Sequence, residues 1–90
     1  MFYLYILTCS DSTLYTGIAT DIKRRLEEHN TSDLGAKYTR SRRPVRLSYV
    51  TTFADRTEAS REEYRIKQLS KKDKLALVKE GKKNTKKHTA

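Results

Sequence analysis

The first thirty residues constrain this chain more tightly than anything else in it. Phe2 to Thr8 (Phe-Tyr-Leu-Tyr-Ile-Leu-Thr) is short, apolar and aromatic, and the turn-prone Ser10-Asp11-Ser12 follows it. That combination reads as a strand rather than a helix. Leu14-Tyr15-Thr16 makes a second strand, ended by Gly17. Side chains alternate across a strand, so Tyr3, Tyr5 and Leu7 share one face, as do Thr13, Tyr15 and Gly17. With an odd hairpin loop and no bulge, Tyr5 and Tyr15 lie on the same face of the sheet as direct or diagonal neighbours.

A helix follows at about residue 20. Thr20 suits the N-cap, Asp21 places a negative charge at the helix start, and Ile22 and Leu26 supply an apolar stripe. Arg25 and His29, four residues apart, share one helical face, with Arg25 three residues beyond Ile22. A cation and an imidazole therefore come to the edge of the buried stripe.

Tyr3-Leu4-Tyr5, then Tyr15-Thr16-Gly17, then an arginine ten residues after Tyr15 and a histidine four further on, resembles the GIY-YIG nuclease superfamily. The chain to about residue 80 is similar to the small single-domain bacterial branch of that superfamily. The first signature lacks its glycine and the second has Thr16 for isoleucine, but each keeps its tyrosine. The asparagine that the superfamily often carries after its glutamate is missing between Gln68 and Val78, and Asn84 is too far along to replace it.

Ninety residues allow one domain, burying about 60 to 65% of its unfolded surface. Residues 1–80 are expected to fold and residues 81–90 to form a basic, disordered tail in which His88 has no role. Charged residues make up 34% and apolar ones 36%, in keeping with a globular chain. No apolar run approaches the roughly 20 residues of a membrane span, and no secretory leader is evident. A cytoplasmic monomer without membrane contact is the expectation. Cys9 stands alone, which excludes an internal disulfide and argues against a four-ligand zinc site. The net charge is +9, of which residues 79–90 supply +4, so +5 stays with the folded part. Such a balance favours a polyanionic partner, with nucleic acid the commonest.

Residues 31 to 45 read as a long surface loop around Gly35 and Pro44. Lys37, Arg40, Arg42, Arg43 and Arg46 surround Tyr38 there, with no acid from residue 34 to 54. Cations meet phosphates and an aromatic can stack on an unpaired base, so Lys37, Tyr38, Arg40, Arg42 and Arg43 are candidate nucleic-acid contacts. Val45 to Phe53 reads as strand 3, with Val45, Leu47, Tyr49 and Thr51 on one face. Asp55 and Glu58 form a capping box that opens a second long helix. Its inner stripe runs Ala59, Glu62 or Glu63, Ile66 and Leu69, so a carboxylate interrupts a buried face. Burying an unpaired carboxylate is costly, and such a residue usually faces a cation, a metal or a cleft. Ser70 and Asp73 cap a third helix carrying Leu75, Ala76 and Val78, which Gly81 can close.

These elements predict an α+β fold: a three-stranded sheet flanked by helices, in the order β-β-α-β-α-α. Periodicity does not choose between Glu62 and Glu63. Resemblance to the superfamily's Glu-x-x-Ile-Lys spacing, read here from Glu63 to Lys67, favours Glu63. The resemblance implies that Glu63 binds Mg²⁺ or Mn²⁺, that Arg25 stabilises charge on a phosphate, and that Tyr5 takes the proton of a water. Tyr15 and His29 then assist by hydrogen bonding. One carboxylate suits a single hard cation completed by waters and a phosphate oxygen, not a two-metal clamp. The function so implied is a metal-dependent DNA endonuclease, in repair or processing. The alternative is a nucleic-acid-binding module that keeps the fold without the chemistry.

Overall fold

The computed structural model describes residues 1–32 and 34–80. The basic tail, including Gly81, Asn84 and His88, lies outside the described residues. The architecture is the expected one: a three-stranded antiparallel sheet in the order β2-β1-β3, with helices on both faces. β1 is Phe2–Thr8, β2 Leu14–Ala19 and β3 Arg46–Phe53. The helices are α1 Ile22–Thr31, α2 Lys37–Arg40, α3 Arg56–Lys67 and α4 Lys71–Glu80.

β1, the most apolar segment, takes the centre, and the two faces of the sheet bury its alternate residues. On one face Tyr5, Leu7 and Cys9 pack with Ile22 of α1 and with Val45, Leu47 and Val50. On the other, Leu4 and Ile6 pack on Ile66 of α3, with Tyr49, Phe53, Leu77 and Val78 around them. Burying an aliphatic side chain such as Leu4, Ile6 or Ile66, each 0% exposed, contributes about 1.5–3 kcal/mol.

The hairpin register sets Tyr5 opposite Gly17 and Leu7 opposite Tyr15. Tyr5 and Tyr15 are therefore diagonal neighbours on one face. β2 does not end at Gly17: Ile18 and Ala19 continue the ladder against Leu4 and Tyr3. Only Thr20 and Asp21 then separate strand from helix, and the N-cap falls on Asp21 rather than Thr20, its carboxylate accepting from the Arg24 amide at 3.0 Å. Asp55 caps α3 as expected, accepting from the Glu58 amide at 2.8 Å, and Ser70 accepts from the Asp73 amide at 3.2 Å.

Strand 3 carries one irregularity that period-two reading could not register. Ile6 pairs with Tyr49 but Leu7 pairs with Leu47, so Ser48 is an extra residue in the ladder. Val45 and Leu47 consequently lie with Tyr5, whereas Tyr49 lies with Leu4 and Ile6. The stretch read as an unbroken loop also contains the single turn of α2, buried at Thr39.

Candidate active site

The site is built on Tyr5 at the middle of the central strand. Its ring lies across Gly17 on the neighbouring strand, and a Cβ at position 17 would come within 2.5 Å of Tyr5 Oη and 2.7 Å of Cζ. Gly17 is thus the residue that lets a phenol cross over β2. At the far side of that crossing, Tyr5 Oη meets His29 Nε2 at 2.8 Å.

His29 sits in the last turn of α1 and is 0% exposed. Its other nitrogen, Nδ1, lies 2.9 Å from Thr39 Oγ1, and Thr39 Oγ1 donates to the Ala36 carbonyl at 2.8 Å. One proton arrangement satisfies these three short contacts: Tyr5 O–H donates to Nε2, Nδ1–H donates to Thr39, and Thr39 donates to Ala36. The Ala36 amide also donates toward Nδ1, at 3.3 Å the longest of these contacts, and competes with that arrangement. Thr39 is fully buried. It reaches the imidazole because the chain folds back on α1 at Gly35, where a Cβ would meet the Glu28 carbonyl at 2.6 Å and His29 Cα at 2.8 Å.

Arg25, one turn before His29, donates through Nη1 to Glu28 Oε1 at 2.9 Å and to the Leu34 carbonyl at 2.7 Å. Its guanidinium also acts on the Tyr5 hydroxyl. Burial opposes its charge, but the bonds to Glu28 and Tyr5 more than compensate and raise its pKa. Burial pushes the Tyr5 phenol up to about 12 against the opposing pull of Arg25. Burial first, then the Arg25 charge, lower His29 to about 4. Both members of the phenol–imidazole pair are therefore neutral at pH 7.

Tyr15 packs edge-on to His29, with ring centroids 5.3 Å apart, and stacks on Tyr38 at 5.9 Å. The Arg42 guanidinium lies 3.9 Å from the Tyr38 centroid. An aromatic column capped by a cation thus runs from α2 into the phenol–imidazole pair.

The basic stretch of residues 37–43 divides by role. Lys37 and Arg40 are exposed on α2. Tyr38 is 38% exposed, with Tyr15 on one side of its ring and Arg42 against it as well. Arg42 pairs with Asp11 at 3.1 Å and bonds the Tyr38 carbonyl at 2.8 Å. Arg43 donates to the carbonyls of His29 and Ser32, each at 2.6 Å, and so caps the C-terminus of α1. Arg42 and Arg43 hold the loop against the site rather than simply facing solvent.

Glu62 and Glu63 differ in direction. Glu62 makes a two-pronged pair with Arg65, one contact at 3.1 Å, and its charge adds to the burial that raises the Tyr49 pKa on the far face of the sheet. Glu63 contacts Lys67 at 3.2 Å, and its charge contributes, as the smallest influence, to raising Tyr5. Among the described residues no three His, Cys, Asp or Glu side chains cluster to hold a metal. Glu63 is one hard oxygen donor opposed by a half-exposed lysine, which fits a single Mg²⁺ or Mn²⁺ with open positions, not a closed protein cage.

The sequence model of the GIY-YIG catalytic domain matches residues 1–76. The chain belongs to the GIY-YIG family. Within it, the protein is 61% identical over 77 residues to a UPF0213 protein of Desulfotalea psychrophila, covering 86% of this chain and 70% of the relative. It is 54% identical over 77 residues to a UPF0213 protein of Halobacterium salinarum, covering 86% and 99%. The solution structure of a UPF0213 protein from Bacillus halodurans is similar at a TM-score of 0.60, with 46% identity over 91% of this chain and 87% of that one. The tyrosines of the Tyr-Leu-Tyr and Tyr-Thr-Gly runs that converge on His29 are Tyr5 and Tyr15. Sequence reasoning did not single out Thr39, took Gly35 only as a loop marker, and read Gly17 as a strand end within the second signature. No helix among the described residues is long and apolar enough to cross a membrane.

Proposed function

We propose that this protein is a divalent-metal-dependent endonuclease that hydrolyses phosphodiester bonds of DNA, in repair or processing. The observation that carries the reading is the bond from Tyr5 Oη to His29 Nε2, with the Arg25 charge and, more weakly, the Glu63 charge acting on the same hydroxyl. A phenol whose pKa is about 12 is a poor base alone. A neutral imidazole against it changes that: as Tyr5 takes a proton from water, its own proton passes to Nε2. Thr39 accepts from Nδ1 and holds the imidazole in the tautomer that leaves Nε2 free to receive. Arg25 meets the phosphate, and the phosphate charge offsets the cation that, after burial, lowers the His29 pKa. Glu63 would hold Mg²⁺ or Mn²⁺, which when bound neutralises charge on the phosphate and leaving oxygen.

A second reading, a nucleic-acid-binding module without chemistry, is favoured by one observation: Tyr5 is only 2% exposed. Nicking of supercoiled plasmid in Mg²⁺ or Mn²⁺ separates the two. The enzyme reading expects nicking that Glu63→Gln and Arg25→Ala abolish. Nicking that survives in both variants rules it out, and binding without nicking under any metal leaves the module.

A further inference from the structure

The cations that sequence placed at the nucleic-acid interface include two, Arg42 and Arg43, that the fold engages internally, which raises the question of where unengaged ones lie. A shallow groove on the outer side of α3 is lined by Arg56, Thr57, Ser60, Arg61 and Tyr64. Positions 56, 60 and 64 are spaced by four and 57 and 61 likewise, so the five form one continuous strip on the helix. Among the described residues, Arg56 and Arg61 have no carboxylate within ion-pair distance, although Glu58 is on the same helix. The hydroxyls of Thr57 and Ser60 between them have no intramolecular partner either. Tyr64 is 70% exposed and makes no ring contact with the rest of the protein.

We infer that this strip is a docking surface for an unpaired nucleic-acid strand, with phosphates on Arg56 and Arg61 and a base on Tyr64. The inference rests on the nucleic-acid partner proposed above and adds the surface. Charge complementarity supports it: two guanidinium groups and two hydroxyls without partners among the described residues are donors that match phosphate oxygens, on a chain of net charge +9. Arginine forks match phosphate oxygens, and an exposed phenol offers the stacking face that a single strand requires and a duplex hides. The strip spans about 12 Å along the helix axis, room for about three nucleotides at 3.4 Å each.

The test is fluorescence anisotropy of a labelled 12-nucleotide single strand, and of the corresponding duplex, titrated with the full chain in EDTA over a range of salt. Far-UV circular dichroism confirms the fold of each variant. The double variant Arg56→Ala/Arg61→Ala is expected to weaken binding and to reduce the slope of log affinity against log salt by about 1.4, at roughly 0.7 per phosphate contact on single strands. Tyr64→Ala is expected to weaken the single strand about fivefold or more and the duplex much less. An unchanged salt slope in the double variant overturns the surface while leaving the proposed enzyme untouched. Equal effects of Tyr64→Ala on strand and duplex overturn the unpaired strand as occupant. Absence of salt-dependent binding by the unaltered protein overturns the nucleic-acid partner itself.

Discussion

Replacing Gly17 by alanine pits two effects of opposite sign against each other. Gly17 is in β2 with no left-handed backbone angle, so the backbone alone would favour alanine by about 0.5–1 kcal/mol. Against this, the new Cβ would sit 2.5 Å from Tyr5 Oη and 2.7 Å from Cζ. The ring is buried between α1 and the sheet, so it has little room to retreat, and forcing an extra carbon into such a site costs about 1–3 kcal/mol. A ring that tilts away also lengthens its bond to the buried His29, at a further 1–3 kcal/mol or so. Gly17→Ala is therefore expected to destabilise the protein by about 1–5.5 kcal/mol in urea unfolding at pH 7, and to shift the His29 imidazole resonances. In a Tyr5→Leu background, where the obstructing ring is gone, the same change should be neutral or stabilising. A Gly17→Ala protein as stable as the parent, with an unchanged imidazole spectrum, would refute the placement of the phenol across β2.

Other outcomes follow from the same geometry. The unfolded chain protonates His29 near 6.5 and the native one only near 4, so its stabilising contribution is complete above pH 6.5 and disappears as pH falls to 4, a loss of about 3 kcal/mol. Unfolding measured across that window should lose about one proton's worth of slope in His29→Gln. Thr39→Val keeps the shape of the side chain but leaves Nδ1–H without its acceptor, and should cost about 1–3 kcal/mol and alter the imidazole tautomer by nitrogen NMR, with Thr39→Ser restoring both. Arg43→Ala should cost about 1–3 kcal/mol by uncapping α1, whereas Lys37→Ala, one short helix away and exposed, should stay within about 0.5 kcal/mol.

Local rules carried most of the fold. The apolar run of β1, the Asp55 and Ser70 caps and the Ala59–Ile66 stripe depend on neighbours close in sequence, and all appear where periodicity and capping chemistry place them. The shared face of Tyr5 and Tyr15 followed from alternation across an odd hairpin loop, and the register makes them diagonal rather than direct neighbours. What escaped depends on contacts between distant segments. The bulge at Ser48 inverts the facing of Tyr49 without leaving a mark on the composition of β3. Asp21 displaces Thr20 as cap because Ile18 and Ala19 find partners on β1, which lengthens the strand. Thr39 and Gly35 matter only because the chain returns to α1, and nothing local distinguishes them from ordinary loop residues. Arg43 reads as a free cation until the end of α1 is beside it, with carbonyls needing donors. The separation of Glu62 from Glu63 likewise required the helix to be set on the sheet.

Titration of ¹⁵N-labelled protein with Mn²⁺ tests most directly whether the acid on α3 and the phenol on β1 share one site. Paramagnetic broadening centred on Glu63 and extending to the amides of Tyr5, Gly17 and Arg25, and lost in Glu63→Gln, is the expected result. Broadening that persists in Glu63→Gln, or that centres on Asp11 or Glu58 and spares Tyr5, would contradict it.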